Sequence, residues 1–149
     1  MSVWQTIDKI IGLVETEDNR SRETEFLAFL DKLAWQISEI EPTDSPVGRE
    51  MPEEDYPAIR KAAEQSFPNW GFYNVAGQVT GNIGSSEVLV GDAIDDVADI
   101  INDLKMVFWS YQNESEEIAI WHLLDSYANH WRGHMRSLQF YVLCLETQQ

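Results

Sequence analysis

Asp92-Ala-Ile-Asp-Asp-Val-Ala-Asp-Ile-Ile-Asn-Asp-Leu-Lys105 is the stretch on which the fold turns. Rotating each residue by about 100° puts Asp92, Asp96, Asp99 and Asp103 in one narrow stripe, with Asp95 beside it. Ile94, Val97, Ala98, Ile101, Leu104 and Phe108 occupy the opposite face. So clean a division is that of an amphipathic helix, expected from Asp92 to Tyr111 with its aspartates turned to water.

The same period recurs on both sides of this segment. Ser115 to Glu146 reads as one long helix whose apolar stripe runs through Ile120, Leu123, Leu124, Tyr127, Trp131, Leu138, Tyr141, Val142 and Leu145. Gly133 interrupts it and costs about 1 kcal/mol relative to alanine in an exposed helix, so a bend or a close helix contact is expected there. Upstream, Val3, Trp4, Ile7, Ile10, Ile11 and Val14 mark a first helix. A charged turn from Glu15 to Arg22 leads to a second, through Phe26, Phe29, Leu30, Leu33, Ile37 and Ile40. Pro42, Pro46, Gly48 and Pro52 make Glu41 to Asp55 a loop. A short helix follows over Ala58 to Ser66, capped by Asp55 or Tyr56 with Pro57 in its first turn. Phe67 to Ser86, with Pro68 and several glycines and asparagines, reads as irregular, with room for no more than a small hairpin around Val75 to Thr80. The expected fold is all-α: one domain over residues 1–149, a bundle of four main helices with a short extra helix and an irregular, aromatic, Gly-rich loop.

Composition narrows the function. Twenty-six acidic residues against ten basic ones give a net charge of −16. A phosphate-binding groove needs clustered cations, so nucleic acid is excluded, and anionic membrane likewise. Cys144 is the lone cysteine, which excludes an intramolecular disulfide and reads as an inert buried thiol. No apolar run is long enough to span a bilayer, and Met1 to Val14 has no basic leader, so a cytoplasmic location is expected. Walker-type, dinucleotide-binding and nucleophile-elbow signatures are missing.

Three features remain. The aspartate stripe reads as a solvated face or as a docking surface for a basic partner, since clustered charge selects partners of opposite sign. His130 and His134 are four residues apart, the spacing at which two imidazoles can meet one ion. His134 falls within the apolar stripe of its helix and His130 at its border, so a shared site with outward-facing aspartates is awkward. A core histidine bonded to a carbonyl, tyrosine or glutamate is the expectation for His134. Trp70, Phe72 and Tyr73 crowd into the loop with Phe67, either as a lid on the bundle or as interface anchors.

Trp-Gly-Phe-Tyr-Asn (Trp70 to Asn74), the aspartate segment Asp92 to Lys105, and His-Trp-Arg-Gly-His (His130 to His134) together resemble an uncharacterised bacterial domain-of-unknown-function family. Its members are small, soluble and mainly helical, and run from a Phe-Tyr loop through an Asp-rich helix to a Trp and His-Trp helix. The likeness spans roughly Ser66 to Tyr141, and departs where Arg132 separates the His-Trp pair from glycine. It implies a helical fold and a bacterial, cytoplasmic setting, joins the three features into one unit, and brings no activity.

The leading expectation is a non-catalytic, acidic helical interaction module that binds a basic protein surface, as an inhibitor, immunity-type or nucleic-acid-mimic protein. Asp92, Asp95, Asp96, Asp99, Asp103, Trp70, Phe72 and Tyr73 would carry the contact, with no cofactor. The alternative is a metal-dependent hydrolase of a phosphate-containing small molecule, with a divalent ion on Asp95, Asp99, His130 and His134. A third reading is a structural homo-oligomer, joined through surplus apolar surface on the second or last helix.

Overall fold

The computed structural model describes residues 1–16, 22–44 and 52–148. The charged turn expected after Glu15 and the middle of the proline-rich loop therefore lie outside the described residues. Helix α1 (Val3–Glu15) begins with a reciprocal cap. Ser2 Oγ accepts from Gln5 N at 3.1 Å, and Gln5 Oε1 accepts from Ser2 N at 2.8 Å. Helix α2 (Glu23–Ser38) starts at the buried Arg22, whose guanidinium donates to Leu13 O at 2.8 Å and Ser66 Oγ at 3.2 Å. Helix α3 (Tyr56–Ser66) opens as its sequence dictates, with Asp55 Oδ1 accepting from Ala58 N and Pro57 in the first turn.

The fold is mainly helical rather than all-α, because β1 (Phe72–Ala76) and β2 (Val88–Asp92) pair antiparallel, Phe72 opposite Asp92 and Ala76 opposite Val88. Tyr73 faces Gly91 across the ladder. A methyl group on Gly91 would lie 2.4 Å from Tyr73 Cζ and 2.9 Å from Val75 Cγ2, so the missing side chain is what lets the tyrosine ring lie flat over β2.

Helix α4 (Ala93–Asn113) follows β2 directly, and Asp92 is its N-cap, accepting from Ile94 N at 3.0 Å. It runs through the middle of the domain in contact with α1, α3, and the two helices that follow, α5 (Glu116–Ser126) and α6 (Arg132–Thr147). The last two are one rod interrupted by a π-helical turn over Tyr127–Trp131. The irregularity thus falls one turn before Gly133, where the bend was expected. A π turn carries one more residue than an α turn and re-aims every side chain beyond it.

The core gathers the inner faces of all these helices. Phe67 and Trp70 stack at 4.3 Å beside Phe26, so Trp70, at 5% exposure, is a core residue, as the lid reading of this loop has it, and not an interface anchor. Trp4 and Trp131 are buried, while Trp35 is exposed. Cys144 is half-buried rather than enclosed.

Gly91→Ala is expected to destabilise the domain by about 1–3 kcal/mol through overpacking against Tyr73. Gly133→Ala, with nothing within 4 Å of the added methyl, is expected to be neutral or to stabilise by up to about 1 kcal/mol. Urea denaturation of the two variants checks the contrast.

Candidate metal centre

The aspartates of α4 do not point away from the rest of the chain. Ala93, Asp96 and Ile100 are all buried on the side where the stripe was expected to meet water, because α3 packs along one flank of α4 and α6 along another. Asp96 is 6% exposed. A carboxylate so placed must be hydrogen-bonded to be tolerated, and it is. The Tyr73 hydroxyl donates to Oδ2, and His134 Nδ1 lies 2.7 Å from Oδ1. His134 is therefore held by carboxylates, not by the carbonyl, tyrosine or glutamate expected of a core histidine.

The other ring nitrogen of His134 lies 3.3 Å from Asp99 Oδ2. One turn earlier, His130 Nδ1 lies 2.5 Å from Asp103 Oδ2, and the two imidazoles sit 5.2 Å apart and nearly perpendicular. Asp99, His130 and His134 can each present a donor atom so that all three fall within 4.8 Å of one another. The aspartate stripe and the histidine pair thus form one site, contrary to the expectation that they face apart. The π turn lies between α5 and α6 and ends next to His130, so it sets how both rings meet α4.

Helix α3 closes the N-terminal end. Arg60 Nη2 binds Asp92 Oδ2 at 2.7 Å, and Nη1 reaches Asp95 Oδ1 at 3.3 Å. The Tyr56 hydroxyl donates to Asp95. Asp95, expected among the metal ligands, is committed instead to Arg60 and Tyr56. Of the eight residues expected to meet a partner, Phe72 stands fully in solvent, at 71% exposure. The sequence offers Tyr56 only as a helix cap and gives Arg60 no role; their four-residue spacing on a capped helix is the signal that joins them.

Burial shapes the protonation of the site. Burial first, and then the hydrogen bonds to Asp95 and Asp96, push the Tyr56 and Tyr73 phenols well above their ordinary range, so both remain donors. Burial also raises the Asp99 and Asp103 carboxyls. The Asp96 hydrogen bond, more than any other influence, raises His134. A raised imidazole adds stability that is complete below its unfolded pKa of about 6.5 and disappears as pH climbs through the folded value. In metal-free protein, an NMR titration of His134 is expected to give a pKa above 6.5, and Asp96→Asn to lower it. His134→Gln is expected to remove the loss of thermal stability that accompanies the rise in pH.

No curated protein matches the sequence. Among solved structures, protein BF1032 from Bacteroides fragilis aligns with a TM-score of 0.72 at 17% identity, covering 99% of this chain and 92% of its own. At that identity the likeness speaks for the fold alone. Residues 5–139 match the profile of the domain of unknown function DUF5063. This match takes in the N-terminal helices that the resemblance of Trp70–Asn74, the aspartate segment and the histidine turn had left out, and the chain belongs to the DUF5063 family.

Proposed function

We propose that Asp99, His130 and His134 bind a divalent transition-metal ion and that the ion serves hydrolytic chemistry. The observation that carries this reading is the way each imidazole is backed. Asp103 holds His130 by Nδ1 and Asp96 holds His134 by Nδ1. Carboxylates on Nδ1 fix the tautomer and leave both Nε2 atoms free to bind metal, the arrangement that orients histidine ligands in metalloproteins. Bonds of about 2.0–2.1 Å in tetrahedral geometry set neighbouring donors roughly 3.3 Å apart, which the His134–Asp99 distance of 3.3 Å already meets. His130, half-exposed, has freedom to close the remaining gap.

Two nitrogens and one oxygen suit zinc, manganese or iron better than magnesium or calcium, which favour oxygen. Three protein ligands would leave an open position on such an ion, which would supply the Lewis acidity to activate water for hydrolysis. The neighbouring charge bears on the substrate. Arg60 is already shared by Asp92 and Asp95, so it adds little attraction for a phosphate group. Neutral or cationic substrates suit the acidic surroundings better.

Docking of a basic protein surface is the second reading. Its support is the net charge of −16, while Asp92, Asp95, Asp96 and Asp103 already have partners within the chain.

Metal titration followed by calorimetry and elemental analysis tests the first reading. Wild type is expected to take up one zinc or manganese ion and to gain about 2.7 kcal/mol of stability at a hundredfold excess over Kd. Asp99→Asn and His134→Gln are expected to abolish that binding. Asp96→Asn is expected to weaken it about 10–100-fold, and Asp95→Asn to leave it nearly unchanged. Uptake that survives Asp99→Asn and His134→Gln would place the metal elsewhere.

A further inference from the structure

Phe72 to Gly91 contains a single charged residue, Glu87, in a chain where 24% of residues are charged. The segment forms the hairpin, and it displays Phe72, Val79, Ile83, Val88, Leu89 and Val90 to solvent, Val90 at 76% exposure. Its ladder assigns the backbone directions. Gly77 N donates to Glu87 O and Ala93 N to Gly71 O, so the hydrogen-bonded pairs are Gly71 with Ala93, Tyr73 with Gly91, Val75 with Leu89 and Gly77 with Glu87. The N–H and C=O groups of Val88 and Val90 consequently point away from β1. Among the described residues, no hydrogen bond reaches them.

An exposed, apolar strand edge is a template for pairing, and proteins usually block it with lysine, proline or a covering element. The hairpin contains neither residue. We propose that this edge joins two copies of the chain, β2 pairing antiparallel with β2 of the second copy about a two-fold axis at Leu89. Val88 then meets Val90 of the second copy on each side of the axis, and the two hairpins make one four-stranded sheet. Charge selects this occupant. Two chains of net charge −16 repel over most of their surface, and the hairpin is a stretch where that repulsion is nearly absent. A two-fold contact of this kind is self-complementary and closed.

Analytical ultracentrifugation across a concentration series at low and high salt tests the proposal. Wild type is expected to shift from monomer toward dimer with rising concentration, and more readily at high salt, where charge repulsion between the copies is screened. Val90→Lys is expected to stay monomeric throughout, with the circular dichroism and melting temperature of wild type. Wild type that is monomeric at every concentration and salt overturns the proposal, including the case in which the edge instead takes an extended segment of another protein. So does a Val90→Lys variant that associates like wild type.

Discussion

The burial of Asp96 is the constraint on which the rest of the site depends. A carboxylate taken from water must recover its lost solvation from fixed partners, and a missing partner costs several kcal/mol. Tyr73 and His134 are those partners, one from before α4 in the chain and one from after it. The hairpin and α6 must therefore both reach the face of α4 that carries Asp96. Tyr73 can take its place because Gly91 lacks a side chain and because Tyr141 stacks on its ring at 5.0 Å. Tyr141 in turn accepts a hydrogen bond from Gly71 N at 2.9 Å, which ties the start of the hairpin to α6.

Seen from Asp96 outward, the polar groups of α4 divide the work. Asp92 caps the helix and anchors Arg60, and Asp95 receives Arg60 and Tyr56. Asp96 and Asp103 hold the imidazoles, and Asp99 faces both of them. A row of five like charges would destabilise a helix that carried it into solvent unaided. Here the row is distributed among a guanidinium, two phenols and two imidazoles, and the divalent ion proposed between Asp99 and the histidines would complete the neutralisation.

The helices were legible in the sequence because each buries one face at the helical period. The cap at Asp55 and the stop before Pro42 were likewise readable from local chemistry. The hairpin was legible only as a small one around Val75 to Thr80, since its strands are five residues each and Val88, Leu89 and Val90, exposed on both faces, show no alternation. Periodicity gave the angular position of each aspartate correctly but not what would stand opposite it. Charged stripes usually meet water, and that general rule failed because α3 and α6 cover both flanks of α4. One clue was present: Asp96 lies three residues after Ala93 and four before Ile100, and both of these are buried. The π turn left no sequence signature, so the helical wheel of the last segment ran on through Trp131 without the offset that brings His130 and His134 to α4.

The most direct test of a single centre shared by α4 and the histidine helix is the visible spectrum of the cobalt-substituted protein. Cobalt in a site of two imidazole nitrogens and one carboxylate, with fewer than six ligands, absorbs strongly, whereas the hydrated ion absorbs weakly. The expected result is an intense absorption that saturates at one cobalt per chain, is lost in His134→Gln, and is displaced by zinc. Only the weak spectrum of hydrated cobalt in the wild-type protein, or an intense one unchanged in His134→Gln, would contradict the account.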